Sequence, residues 1–314
     1  MKVLVTDGLD PAALAALRKA HEVDVQELDA EALLAAIPAY HGIIVRSRTK
    51  VTKDVLSRAA QLKVIGRSGV GVDNIDVEEA TARKVVVVNA PAASTLSVAE
   101  LAIGHIVSLL RHLPEADLSV RSGRWEKARF EGRELFGKTL GLLGSGRIGA
   151  EVAKRAQAFG MKVIAHDPYL SPRTAEGLGI RLVEKDQLFR DADVLSVHAA
   201  LTSETRGLVG APQLSKMKRT AILVNCARGE IVDEAALAEA LRAGTIAGAA
   251  IDVFAKEPPI GSPLLTAPNA VFTPHLGAST AEAQVRAGAI VAEQVIQVLA
   301  GRRPEFVVNP RVYG

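Results

Sequence analysis

Over the first ninety residues, short β-branched runs alternate with amphipathic segments. Residues 2–6, 23–25, 42–45, 63–65 and 85–88 read as strands, and residues 11–19, 31–37 and 52–60 as the helices between them. Asp10 before Pro11 is a helix cap with proline at the first helical position, where its missing N–H costs nothing. Strand–helix–strand repeats of this kind close into a parallel sheet. A second series starts near Thr139, with strands at 140–143, 162–165, 194–198, 221–225, 249–253 and 271–273. Helices at 147–159 and 234–243 are each closed by a glycine, Gly160 and Gly244. This is the strand count of a doubly wound sheet. A last helical pattern runs from 281 to 299. The expectation is an α/β chain with two doubly wound parallel sheets.

Composition sharpens that picture. A length of 314 residues exceeds the roughly 250 that one hydrophobic core serves, so two domains are expected. Hydrophobic residues make up 48% but aromatics only 4%, so the core is aliphatic, as buried parallel strands require. The 38 basic residues nearly balance the 35 acidic ones, which argues against a nucleic-acid partner. Disorder, collagen and coiled coil are excluded by the same figures. A single cysteine, Cys226, leaves no intrachain disulfide and no Cys-rich zinc site, and it fits a reducing compartment, so a cytoplasmic protein without metal is expected. Asp7 interrupts the N-terminal apolar run too early for a signal peptide. The longest apolar stretch, 99–110, carries Glu100 and His105 and falls short of the roughly 20 residues of a membrane span.

The strongest local chemistry is Gly144-Ser145-Gly146-Arg147-Ile148-Gly149, directly after an apolar strand and before a helical pattern. In such a turn the first glycine permits the bend, the second lets a pyrophosphate approach the backbone, and the third lets helix and strand pack closely. Asp167, at the end of the next strand, is placed to accept from an adenosine ribose and to repel a 2′-phosphate, which favours NAD over NADP. Gly69-Val70-Gly71 follows a strand too, but lacks the third glycine and reads as a loop under an active site. Arg46 with Ser47, and Arg67 with Ser68, put two guanidiniums on loops at carboxyl strand ends, where open α/β sheets bind ligands.

Three further strand ends carry Arg228, Glu257 and His275. Together they suit one reaction: arginine anchors a carboxylate and polarises the adjoining carbonyl, histidine moves the proton, and glutamate raises the imidazole pKa. His198 ends a strand as well and is a second-ranked base, better read as a wall of the dinucleotide crevice. Cys226 has no histidine beside it in sequence and reads as a buried neighbour of Arg228 rather than a nucleophile.

Gly144 to Gly149 with Asp167, Asn225-Cys226-Ala227-Arg228-Gly229, Asp252-Val253-Phe254 with Glu257-Pro258, and Pro274-His275-Leu276-Gly277-Ala278 together resemble the NAD-dependent D-2-hydroxyacid dehydrogenase family, over nearly the whole chain. The resemblance implies two Rossmann-like or flavodoxin-like domains with the active-site cleft between them. Residues 1–91 and 287–314 would bind substrate and 92–286 would bind NAD, with a helix from about Ala92 as the hinge crossing. It implies that Arg228 binds the substrate carboxylate, that Glu257 and His275 are the acid–base pair, and that Asp252 lies by the nicotinamide. Gly144, Gly146, Arg147, Ile148, Gly149, Asp167, Val70, His198, Ala199, Cys226, Gly277 and Ala278 would border the cofactor. Arg46, Ser47, Arg67, Ser68 and Gly69 would contact a small anionic 2-hydroxy or 2-oxo acid.

Residues 46–47 and 66–76 resemble the branch that oxidises 3-phosphoglycerate at C2. In that branch the stretch matching 123–130 reaches a neighbouring subunit's active site, which would make the enzyme a homodimer or homotetramer with Lys127 as a substrate contact. Trp125 suits that role or simple interface packing. Residues 89–95 lack the Asn-Gly-Asn often found there, and Ala199 replaces a common threonine. These departures keep hydroxypyruvate or glyoxylate reduction as a close alternative, with a dinucleotide-sensing binding protein as one of a different class. A serine-sensing domain and its feedback inhibition are expected to be absent.

Overall fold

β1 (Lys2–Val5) buries three of its four residues completely, with no polar face, as a strand covered on both sides must. In the computed structural model, which describes residues 1–314, the chain continues through α1 (Pro11–Ala20), β2 (Glu22–Val25), α2 (Ala30–Ala36), β3 (Gly42–Val45), α3 (Lys53–Arg58), β4 (Val64–Arg67), α4 (Val77–Ala82) and β5 (Val86–Val88). The five strands pair in parallel in the order β2-β1-β3-β4-β5. Each helix starts at a side-chain cap: Asp10, Asp29, Thr52 and Asp76 accept backbone N–H groups of the first turn.

The chain then forms α5 (Thr95–Leu110), α6 (Leu113–Arg121), β6 (Thr139–Leu143), α7 (Arg147–Ala158), β7 (Lys162–His166), α8 (Pro172–Gly177), β8 (Arg181–Leu182), α9 (Lys185–Asp191), β9 (Val194–Val197), α10 (Ala211–Leu214), β10 (Ile222–Asn225), α11 (Glu234–Arg242), β11 (Gly248–Ile251) and β12 (Ala270–Phe272). These seven strands make a second parallel sheet, ordered β12-β11-β10-β9-β6-β7-β8. Gly160 and Gly244, at φ +74° and +64°, end α7 and α11 as expected. Finally α12 (Ala281–Leu299) returns to the first sheet and packs Ala287, Val291, Val295 and Leu299 with Val3, Ile44 and Val64.

The chain thus divides into two compact units, Met1–Ser94 with Ala278–Gly314, and Thr95–Gly277. The second boundary, after Gly277, precedes α12, whereas the resemblance implied one at 286; Ala287, Val291, Val295 and Leu299 of that helix share one core with the first sheet. The expected helix from Ala92 begins instead at Thr95 and breaks at His112, which sits at φ +53°. Pro114 explains the break, since its ring would clash with the carbonyl of Leu110 in a continuous helix. That carbonyl accepts the N–H of Arg133 instead, and α5 and α6 diverge by 63°. No single helix is long and apolar enough to cross a membrane.

Gly66 shows how closely α12 lies on the first sheet. A Cβ there would stand 2.7 Å from Val291 Cγ1 and 2.8 Å from Val295 Cγ2, both on stiff β-branched side chains. Gly66→Ala is therefore expected to destabilise the protein by about 1–3 kcal/mol, read as a lower urea midpoint.

Candidate active site

The larger sheet reverses its strand order between β6 and β9, the place where connections leave in opposite directions and open a crevice at the strand ends. The glycine turn follows β6. Gly144 has φ +85°, and any Cβ there would lie 2.7 Å from the backbone N of Ala199, just past β9. Gly149 lies so close to the turn that its Cβ would meet the Gly144 carbonyl at 2.8 Å. At Gly146, by contrast, a Cβ would meet nothing within 4 Å. The open face sits at the start of the twelve-residue α7, whose dipole and N–H groups favour an anion.

Asp167, one residue past β7, accepts from Ser145 N–H at 2.7 Å and from Tyr169 N–H at 2.9 Å. Its carboxylate is thereby held against the glycine turn, with lone pairs left for a ribose. Ser145 Oγ and His198 Nδ1 are buried with no partner, a cost that a polar ligand would remove. The cradle, the anchored carboxylate and these two atoms fit a dinucleotide. His198 Nε2 lies 2.8 Å from Ser196 Oγ, and burial pushes its pKa down to about 4, which suits a neutral crevice wall better than a base. Burial pushes the Cys226 thiol up, with Asp252 adding to the effect, so Cys226 is no nucleophile.

The loops after β10, β11 and β12 converge. Gly229 packs so tightly that a Cβ would fall 1.9 Å from the carbonyl carbon of Phe254. Only glycine lets the Arg228 loop lie on the Glu257 loop. Arg228 donates to the Ala227 carbonyl at 2.7 Å, while Asn225 braces the same turn through Ala227 N–H and the Arg228 carbonyl. Glu257 Oε1 accepts from Phe254 N–H at 3.1 Å, and its Oε2 lies 2.8 Å from His275 Nδ1.

The His275 pKa is raised, first by the hydrogen bond to Glu257 and against the effect of burial. Burial alone would raise Glu257, but His275, the Phe254 N–H and Arg228 outweigh it and lower it. Both shifts favour the ionised pair. Its contribution to stability is fullest between the ordinary values of 4.5 and 6.5, fading as pH falls through the lowered Glu257 value or rises through the raised His275 value. Asp252, wholly buried, accepts from Thr273 Oγ1, Leu276 N–H and Gly277 N–H.

In the smaller unit, Arg46 directly follows β3. Its N–H donates to Asp7 Oδ2 at 2.7 Å, and Asp7 also receives Thr49 N–H, Thr49 Oγ1 and Arg48 Nε. Burial would raise the Asp7 pKa, but these donors outweigh it and lower it. Asn74 Nδ2 closes the loop from the other side through the Arg46 and Thr49 carbonyls. The sequence pattern missed Asp7 as the anchor, although its place just past a strand end was a usable signal. Arg67 is not on a loop as expected. It is the last residue of β4, paired with Val45, so sheet hydrogen bonds fix its backbone. Ser47 is exposed and Ser68 buried. Gly69 has φ +151°, and Asn89 Nδ2 holds the Val70 carbonyl at 2.6 Å.

Ala278 begins the segment that leads into α12, its carbonyl accepting from Gln284. Lys127 lies on a 3-10 turn at 127–130 beside the exposed Trp125, and the structure does not bring it together with Arg228, Glu257 or His275. A cavity of about 910 Å³ in the larger unit opens at the starts of β6 and β7 and contains none of these residues.

Residues 103–277 match the family model described as the NAD binding domain of D-isomer specific 2-hydroxyacid dehydrogenases. The chain belongs to that family. Among curated relatives, the D-3-phosphoglycerate dehydrogenase of Methanocaldococcus jannaschii is 52% identical over 98% of this chain. The chain spans 59% of that relative's length. Among solved structures, the TT0316 protein of Thermus thermophilus is 40% identical, with a TM-score of 0.90, coverage of 98% of this chain and 100% of that one. A glyoxylate reductase from Paecilomyes thermophila is 31% identical, with a TM-score of 0.89 and 98% coverage of both chains.

Two sets of variants test this site. Gly146→Val should fill the open face of the turn and weaken NADH binding by at least tenfold, on the order of one lost phosphate contact, with little change in melting temperature; Gly144→Ala should lower the melting temperature itself. Glu257→Gln should lower the His275 pKa, so the acid limb of the pH profile for hydroxy-acid oxidation, which requires neutral His275, should move to lower pH. An unmoved limb would separate Glu257 from the proton-transfer step.

Proposed function

We propose that this chain catalyses NAD-dependent oxidation of D-3-phosphoglycerate to 3-phosphohydroxypyruvate, the first step of serine biosynthesis, and that it works in the cytoplasm. The observation that carries the reading is the His275–Glu257 pair at 2.8 Å, on loops packed against the one bearing Arg228. The name of the archaeal relative supports the substrate. NAD, when bound on the glycine turn, accepts the hydride from C2.

The chain's own residues do the rest. Arg228 takes the substrate carboxylate in its planar fork and polarises the adjoining C2 oxygen as it becomes a carbonyl. His275 receives the hydroxyl proton at Nε2, because Nδ1 is engaged by Glu257. Glu257 stabilises the imidazolium so formed and holds the ring in one orientation. Arg46, anchored by Asp7, and Arg67, anchored in β4, take the phosphorylated end.

The surface from α6 to residue 130 supports a homodimer or a pair of dimers, with Lys127 serving the neighbouring subunit. Leu118, Val120 and Trp125 are 64%, 57% and 84% exposed there, more apolar surface than a lone subunit usually shows.

A second reading is reduction of hydroxypyruvate or glyoxylate. Ala199 and the alanine-rich loop at 89–95 support it, because both depart from the phosphoglycerate branch, and so does the likeness to a glyoxylate reductase. A dinucleotide-sensing binding protein would leave the His275–Glu257 pair without a task. The deciding assay follows nicotinamide absorbance with NAD plus 3-phosphoglycerate, and separately with NADH plus hydroxypyruvate. Turnover of 3-phosphoglycerate is expected; turnover of only the unphosphorylated acid would favour the second reading. His275→Ala should cut kcat by about 10²–10⁴-fold while NADH still binds.

A further inference from the structure

The loop bearing His275 is held by a polar chain that starts 170 positions earlier in the sequence. His105 lies in the middle of α5 and is 4% exposed, among Ala102, Ile106 and other apolar side chains. A leucine or methionine would serve packing there at lower cost, since a buried imidazole must find a partner. His105 finds one: its Nε2 is 3.1 Å from Thr273 Oγ1, which lies 2.5 Å from Asp252 Oδ1. The proton count fixes the direction. The Thr273 hydroxyl donates its only hydrogen to Asp252, which also accepts from Leu276 and Gly277 N–H. The His105 contact must then be an Nε2–H donated to Thr273 Oγ1.

We propose that His105 is a positioning residue for the acid–base pair. Its Nε2–H locks the Thr273 hydroxyl rotor toward Asp252, and residues 273–277 are wound around that carboxylate. His275 depends on this winding directly. Its N–H donates to the carbonyls of Asp252, at 2.8 Å, and Thr273, at 3.0 Å. Its φ of +54° is a left-handed conformation that a non-glycine residue holds only where its surroundings enforce it. That backbone turn delivers Nδ1 to Glu257. Burial pushes the His105 pKa down against the pull of Asp252, which keeps the imidazole neutral with one donor and one acceptor.

The inference rests on His275 being the proton carrier, and its test separates the two. The full chain, with ring-labelled histidine, is titrated by NMR, with His275 assigned through His275→Ala. His105→Leu removes the donor, and His105→Gln restores one through its side-chain amide. In His105→Leu, His275 is expected to titrate at lower pH than in the parent, because its contact with Glu257 loosens, and kcat is expected to fall about tenfold, the scale of one lost buried hydrogen bond. His105→Gln should recover most of both. Thr273→Val should match His105→Leu, and the double variant should be no worse than Thr273→Val alone.

A lowered melting temperature with the parent His275 titration in both His105→Leu and Thr273→Val would reduce His105 to a packing residue and overturn the proposal. If His105→Leu does not fold, Thr273→Val and His105→Gln decide by the same titration. The titration needs no substrate, so a shift without turnover of either acid would sustain the positioning link while refuting the proposed reaction.

Discussion

A carboxylate taken wholly out of water is tolerated only if both its oxygens are hydrogen-bonded, and Asp252 meets this demand by organising the chain around itself. Its oxygens collect one hydroxyl and two backbone N–H groups from residues 273–277, and its own carbonyl collects a third N–H. The shape of the loop that carries His275 is therefore set by desolvation before any substrate is present. Close contact between the Gly229 turn and the Phe254 carbonyl does the same for the other half of the site. Arg228 and Glu257 are neighbours because their backbones touch. A preorganised site of this kind needs little rearrangement at the moment of reaction.

Each unit solves its placement problem by the same topological device. In the five-stranded sheet the order reverses between β1 and β3, and Asp7 and Arg46 sit at those two strand ends, bonded to each other. In the seven-stranded sheet it reverses between β6 and β9, and the Gly144 turn and Ala199 touch there. A reversal leaves the ends of two adjacent strands uncovered, because their connections depart to opposite faces. Residues just past those strands gain a rigid base and an open side together.

Much of this was legible in the sequence, for identifiable reasons. Strands buried on both faces announce themselves as unbroken aliphatic runs, and glycine turns, caps and strand-end polar residues are local signals. Gly144 and Gly149 each play a distinct steric part, at the bend and where the helix meets the turn, and both positions follow from the spacing. What escaped was short or non-local. α4, α8, α9, α10 and the two-residue β8 are too brief to show a period, and the break at His112 hid inside an otherwise helical pattern until Pro114 was considered in three dimensions. Asp7 and His105 act through partners about 40 and 168 positions away, which no periodicity reports. Arg67 was assigned to a loop because its strand continues two residues beyond the expected end at Ile65.

The dependence of the first sheet on α12 also has a temporal side. One face of β1, β3 and β4 is covered by residues 281–299, whereas Thr95–Gly277 is contiguous and contains its own core. A ribosome adding 5–20 residues per second needs about 10–40 s to travel from Ser94 to α12. For that interval the valines and isoleucines of the earliest strands have no final cover, while the later-made unit can already close. The order of completion is thus the reverse of the order of synthesis, and the nascent N-terminal segment is the part of this chain with the most reason to meet a chaperone.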